Sequence, residues 1–312
     1  TLTILFRSPV AYLRDRQTAH PLPSLMNEGM AHLRKVHSHF GWDWGPRLPI
    51  SGIWRDIWLE GSNTARFADI LIHQDHAPGL VKLTVSARCS VWQATNLYLS
   101  ITLTTPDGFK TQLSTPILGD QASLSLDIPD PHLWWVNGLG AQPLYQLEAA
   151  LLSGVQLLDQ RSFKIGLRSL KLIRQPDTWG ESFTFVINDI PFFAKGANWI
   201  PADSFPTRLT QEKLEHLIKS AASANMNMLR VWGGGYYEED RFYDLCDRYG
   251  ILVWQDFMFA CAAYPLDDPT FRENAESEIA ENIRRLRHHA CLALWCGNNE
   301  VEMLWGLWKR HR

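Results

Sequence analysis

The sequence predicts a multidomain chain, all-β in its first half and alternating between strands and helices in its second. Three observations carry that prediction. Residues 62–168 hold short runs rich in β-branched and apolar residues, separated by turn signals. From about residue 183, short and nearly continuous apolar runs alternate with amphipathic stretches of helical period, the pattern of a parallel sheet covered by crossover helices. Residues 1–61 begin and end on alternating runs, Thr1–Phe6 and Ile53–Glu60, which read as half-buried strands of a β domain entered partway.

In the first zone (1–61), stretches with helical tendency at Val10–Gln17 and Leu25–Arg34 lie between those strands. A dense aromatic segment, Phe40–Pro46 (FGWDWGP), follows them. The second zone (62–168) offers strands at Ala68–His73, Leu80–Arg88, Leu97–Thr104, Ser123–Ile128, Leu144–Leu152 and Ser162–Arg168. Pro-Asp-Gly at 106–108 and Asn-Gly at 137–138 supply turns between them. A unit of this length suits an immunoglobulin-like β-sandwich, and the lack of a Cys…Trp…Cys spacing argues against an antibody-type domain.

The third zone (169–312) opens on a buried-strand run at Phe192–Asn198. Thr210 can cap a helix whose apolar face is Leu214, Leu217, Ile218, Ala221 and Ala222. A second strand, Asn227–Trp232, leads to a helix opened by Glu238, Glu239 and Asp240, with Phe242, Leu245, Cys246 and Tyr249 facing inward and Gly250 ending it. Ile251–Gln255 is a third strand. Phe271, Ala275, Ile279, Ile283 and Leu286 mark a third helix, and Cys291–Cys296 a fourth strand. No G-x-G-x-x-G follows the first strand, so a barrel is expected rather than a doubly wound sheet. Four strand–helix units are the first half of a (β/α)8 TIM barrel.

Composition narrows the function classes. A net charge of -3 with 20% charged residues gives no handle for nucleic acid or an anionic membrane. No stretch reaches the roughly 20 apolar residues that span a bilayer. Fourteen tryptophans offer flat faces for sugar C–H surfaces, although indoles also fill cores. The five cysteines are odd in number and scattered, which reads as reduced thiols and points to the cytoplasm. No cofactor motif is present. His37 with His39, and the pair His288–His289, lack a third ligand at recognisable spacing, so no metal is expected.

Active sites of (β/α) barrels sit at the C-terminal ends of the strands. Here those ends carry Asn198-Trp199, Trp232 with three glycines, Asp256, and Asn298-Asn299-Glu300. Glu300 stands near Trp295, Trp305 and Trp308, whose desolvation favours a protonated carboxyl able to donate to a glycosidic oxygen. Asn299 is placed to bond a sugar 2-hydroxyl. The same spacing also reads as Asn298 capping a further helix, with Glu300 in its first turn. Trp232 and its glycines read either as a stacking platform or as a mobile loop beside a core indole. By spacing alone, Asp43 is a turn residue.

These segments resemble glycoside hydrolase family 2. They are Phe40–Pro46, Ser51–Glu60 (SGIWRDIWLE), Trp134–Tyr145 (WWVNGLGAQPLY), Ala194–Phe205 (AKGANWIPADSF), Met228–Glu238 (MLRVWGGGYYE), Phe242–Ala260 (FYDLCDRYGILVWQDFMFA) and Leu294–Glu300 (LWCGNNE). They run through nearly the whole chain in family order, and within the family they are most like the β-mannosidase branch. Val136 departs from the pattern at a turn where relatives usually have proline. The resemblance implies a jelly-roll sugar-binding domain, of which 1–61 is the C-terminal part, then an immunoglobulin-like domain, then the catalytic barrel. It further implies that Glu300 is the general acid/base and Asn299 its 2-hydroxyl partner. Asp43 becomes the residue that the jelly-roll domain lends to hold a terminal mannose, while Trp232 and Trp308 become sugar-binding walls. The implied activity is exo-hydrolysis of terminal β-D-mannose from oligosaccharides with retention. The family nucleophile is a glutamate on a late barrel strand, absent here: Glu238 and Glu239 open a helix, and Glu302 follows Glu300 too closely. The chain alone is therefore expected to be inactive. Another β-glycosidase of the family, or a non-catalytic carbohydrate-binding product, is the alternative expectation.

Overall fold

In the computed structural model the described residues are 1–93 and 95–310, side chains at 305 and 307–310 excepted. The first zone holds one helix, α1 (Pro9–Ala19), capped by Ser8, whose hydroxyl accepts from the Ala11 amide at 3.3 Å. Its only sheet is a hairpin of β1 (Phe40–Trp42) and β2 (Gly45–Arg47). The strands expected at Thr1–Phe6 and Ile53–Glu60 do not form, and both segments are mostly exposed, Leu59 fully so. Both alternate only in part, and among the described residues no strand lies beside them to complete a ladder. Of the helical stretch expected at Leu25–Arg34, only one 3-10 turn, Met30–His32, is present.

The sandwich is made of β3 (Ala65–Ala77), β4 (Leu80–Val91), β5 (Leu97–Thr104), β6 (Lys110–Pro116), β7 (Gln121–Pro129), β8 (Tyr145–Ser153) and β9 (Gln156–Ile165). Two antiparallel sheets, ordered β3-β4-β7 and β6-β5-β8-β9, face one another. Alternate residues Val81, Leu83, Val85 and Ala87 on β4 and Leu97, Leu99, Ile101 and Leu103 on β5 meet in one apolar core. The sequence reading had no strand at β6, and β9 begins and ends earlier than the expected run at 162–168.

A three-stranded antiparallel sheet follows, from β10 (Leu170–Ile173), β13 (Thr184–Ile187) and β14 (Ile190–Phe192), with a short ribbon of β11 (Pro176–Asp177) and β12 (Gly180–Glu181) between. The parallel sheet then runs in order β15 (Gly196–Trp199), β16 (Met228–Val231), β17 (Leu252–Asp256) and β18 (Leu292–Cys296). Helices α2 (Gln211–Ser223), α3 (Asp240–Tyr249), α4 (Pro269–Leu286) and α5 (Val301–Arg310) alternate with it. Thr210 caps α2 through the Lys213 amide at 3.2 Å, and Gly250 ends α3 at φ 70°, as its sequence position requires. Leu229, Val231 and Val253 pack toward the helices. Met228, Leu252, Trp254 and Leu294 occupy the other face, where Phe185 and Ile187 of β13 close one end. Above them a cleft of about 770 Å³ reaches Asn198 and Arg230.

Sandwich and parallel sheet are joined by buried polar contacts. The Trp134 indole donates to the Asp247 carbonyl at 2.7 Å, and Arg168 donates to the Ala290 and Leu292 carbonyls at 3.0 and 2.6 Å. The Asp247 carboxylate accepts from the Cys291 amide at 2.7 Å and bonds His289 Nδ1 at 2.6 Å. Asp247, His289 and Cys291 thus satisfy one another at the joint between the two units. Among the described residues, no helix is long and apolar enough to cross a membrane.

Candidate active site

All four strands of the parallel sheet end on one side, and Arg230 gathers those ends. Lying near the end of β16, it donates to Asn198 Oδ1 at 3.3 Å, to the Asp256 carboxylate at 3.1 and 2.6 Å, and to Asn299 Oδ1 at 2.9 Å. Asp256 is fully buried and also accepts from the Gly233 amide at 3.0 Å. Burial pushes its carboxyl above the usual range, against the opposing pull of Arg230 and the Gly233 amide. An ion pair of this kind is costly to break from one side, because the remaining charge stays buried without a partner.

The loop after β17 is stitched to the loop after β18. Asn299 N–H donates to the Phe259 carbonyl at 2.8 Å, and Cys261 N–H donates to the Asn299 carbonyl at 2.9 Å. Asn299 itself is buried, with its Nδ2 directed at Cys261 Sγ at 3.3 Å. Asn298 Oδ1 accepts from the Val301 amide, the first of the following helix, at 3.0 Å. Glu300 stands between the two with a left-handed backbone at φ 59°, so it is not a first-turn residue of that helix. Its Oε2 accepts from the Cys261 thiol at 3.3 Å. The enclosure expected around Glu300 is not supplied by Trp295, which stacks on Phe257 at 5.3 Å within the helix-facing core. Glu300 is exposed. The side chains of Trp305 and Trp308 on α5 lie outside the described residues.

Trp232 follows β16 and is only 7% exposed. A side chain at Gly234 would meet its ring at 1.9 Å, and one at Gly233 would meet the Phe257 and Phe259 carbonyls at 2.8 and 2.9 Å. The glycines therefore serve close packing of the loop on its own indole and on the strand ends, which fits neither a mobile loop nor backbone left free for a ligand. Two further indoles press edge-on against Trp232: Trp42 at 4.7 Å and Trp44 at 5.7 Å between ring centroids. They flank Asp43 at the tip of the β1–β2 hairpin, where Trp42 pairs with Gly45 and leaves a two-residue turn. Asp43 is exposed at that tip, so the first zone carries it to the strand ends of the third.

Several contacts hold the first zone there. Ser38 N–H donates to the Gly234 carbonyl at 3.0 Å. Arg34 bonds Glu278 at 2.6 and 2.9 Å and stacks 4.2 Å above the Phe259 ring. Trp54 packs on Tyr236, and Arg55 donates to the Tyr237 carbonyl, so the segment expected as a strand drapes over the loop after Trp232.

Sequence reasoning missed three residues. Arg230 reads as one more residue of an apolar strand, and Cys261 belongs to no motif. Glu238, read only as a helix-opening acid, is buried and accepts from the Trp199 indole at 2.9 Å. Burial pushes its carboxyl up to about 7. Only Trp199, at a strand end and thirty-nine residues earlier, could have hinted at it.

The three zones match three models of one family: the glycosyl hydrolase 2 galactose-binding domain-like model over residues 1–55, glycosyl hydrolases family 2 over 65–168, and the glycosyl hydrolases family 2 TIM barrel domain over 181–307. The chain is 38% identical over 309 residues to β-mannosidase B of Emericella nidulans, covering 96% of this chain and 36% of that protein. It is 36% identical to the β-mannosidase of Rattus norvegicus, covering 97% of this chain and 36% of the relative. The crystal structure of a β-D-mannosidase from Dictyoglomus thermophilum superposes with a TM-score of 0.87 at 39% identity, covering 96% of this chain and 39% of that one. The chain thus spans little more than a third of the relatives it matches. With all three zones matched in order to its models, the chain belongs to glycoside hydrolase family 2.

Proposed function

We propose that this chain is the part of a retaining exo-β-mannosidase that holds a terminal β-D-mannose and supplies the general acid/base, Glu300. The observation that carries the reading is the convergence at one mouth: Asp43 on its indole-flanked hairpin, Trp232 beneath it, and Asn299 fixed by Arg230 beside Glu300. Glu300 protonates the glycosidic oxygen as the bond breaks and then, ionised, takes a proton from water. Asn299 Oδ1 is committed to Arg230 and one Nδ2 hydrogen to Cys261, which leaves its second Nδ2 hydrogen for the sugar 2-hydroxyl. Asp43 accepts from sugar hydroxyls and Trp232 walls the ring. Trp308 is proposed as a further wall.

A retaining enzyme places a second carboxylate about 5–5.5 Å from the first. Among the described residues, no other glutamate follows the end of a parallel strand in the manner of Glu300. The 312-residue chain alone is expected to bind mannosides without turning them over. Mannose is favoured over galactose, glucuronate or glucosamine by the relatives bearing the name β-mannosidase. Five free cysteines, four of them buried, support a reducing compartment, the cytoplasm.

The test is Glu300→Ala in the complete enzyme. Aryl β-mannosides with poor leaving groups should slow by about 10²–10⁴-fold, with azide restoring part of the rate on activated ones. Unchanged hydrolysis in that variant would remove Glu300 from the role.

A further inference from the structure

We infer that Cys261 is a positioning residue for Glu300, the last donor in a directed hydrogen-bond chain that begins at Arg230. The direction follows from what each group can do. A guanidinium only donates, so Asn299 presents Oδ1 to Arg230 at 2.9 Å. Its Nδ2 then faces Cys261 Sγ at 3.3 Å, and the sulfur accepts. The thiol hydrogen is left for Glu300 Oε2, also at 3.3 Å. The order is Arg230 to Asn299 to Cys261 to Glu300, each group donating to the next.

The backbone supports the same arrangement. Cys261 and Glu300 both adopt left-handed conformations, φ 53° and 59°, which cost a non-glycine residue about 1 kcal/mol or more. Such geometry persists only where neighbours over-determine it. Cys261 is tied at both ends of its own peptide unit: its N–H donates to the Asn299 carbonyl at 2.9 Å, and its carbonyl accepts from the Leu25 amide at 2.8 Å. The first zone and the β18 loop therefore clamp the cysteine from opposite sides. Cys261 is 3% exposed, and burial, reinforced by the Glu300 carboxylate, pushes its thiol up to about 12, so it stays a donor across the working pH range.

A thiol suits the task because it is a weak donor. It orients Oε2 toward the loop and leaves Oε1 free to face the sugar. The other charged groups nearby, Arg230 and Asp256, are linked to Glu300 through Asn299 and Cys261.

This role rests on Glu300 being the acid/base; the contact itself does not. The test uses the 312-residue chain with ¹³Cδ-labelled glutamate, the Glu300 resonance being assigned by its loss in Glu300→Gln. Read at one pH, Cys261→Ala should move that resonance as the carboxylate loses its donor, while Cys261→Ser, a stronger donor, should move it the opposite way. Should the alanine variant not fold, the serine comparison decides alone. A resonance unmoved in Cys261→Ser, or moved the same way by both variants, overturns the proposal. In the complete enzyme, Cys261→Ala should reduce kcat several-fold on poor leaving groups, leave KM and activated substrates nearly unchanged, and be rescued by Cys261→Ser. Equal losses on both substrate classes would mean a merely structural residue. Unchanged hydrolysis by Glu300→Ala would instead sink the acid/base reading while leaving the resonance shifts in place.

Discussion

The sandwich and the first zone contain the same kind of sequence and reach opposite outcomes. Leu97–Thr104 and Ile53–Glu60 are both rich in strand-forming residues, the first in strict alternation and the second in part. The first became β5, paired on both sides by β6 and β8, with Leu99 fully buried. The second pairs with nothing among the described residues, and its Ile57, Trp58 and Leu59 are exposed. Alternation specifies a face, whereas a strand also needs a neighbour to satisfy its backbone. The first zone is held instead by side chains reaching to the third, through Trp42 on Trp232, Arg34 on Glu278 and Trp54 on Tyr236.

The contrast is sharpest in stability. Leu99→Ala should cost about 2–5 kcal/mol in denaturant unfolding of the sandwich, since it empties a closed core. Leu59→Ala should stay within about 0.5 kcal/mol. Comparable losses from the two would show that the first zone is packed as tightly as the sandwich.

A smaller effect separates the regions by pH. Burial pushes His37 down to about 3 and His39 to about 4, both in the first zone, and His288 at the joint to about 3. Each is lowered from 6.5, so the stability it contributes is present above pH 6.5 and lost as pH falls toward its folded value. Glu238, raised from 4.5 to about 7, has the opposite sign: its contribution is present below 4.5 and lost as pH rises through about 7. Two of these three histidines lie in the first zone, whereas the raised carboxyls, Glu238 and Asp256, lie in the third, so acidification is predicted to loosen the first zone. Amide protection factors at residues 30–47 should fall between pH 7.5 and 5, while β4 and β5 keep theirs. An equal fall in both would remove the distinction.

How much of this was legible in the sequence follows from the same contrast. Strands β3, β4, β5, β7 and β8 could be read because a one-sided core imposes a period of two along each. β6 (KTQLSTP) could not, being a polar edge strand whose pairing with β5 does not depend on burying a large face. The barrel strands and the caps at Thr210 and Gly250 were legible from local chemistry. The site was legible only as strand ends. Arg230 joins residues 26 and 69 positions away, and Cys261 meets Glu300 across 39. No local pattern records such separations. Asp43 needed the hairpin turn and two indole contacts to bring it near Trp232. The close packing of the glycines after Trp232 was not legible, because a mobile loop calls for glycine as well.

The central claim is that a hairpin from the first zone and strand ends from the third form one sugar site. Titrating methyl β-mannoside into the 312-residue chain, followed by saturation-transfer NMR, tests it most directly. The account predicts binding that both Asp43→Ala and Trp232→Ala weaken by about tenfold or more, despite the 189 positions between them. Binding that ignores Asp43 while depending on Trp232 would contradict a shared site.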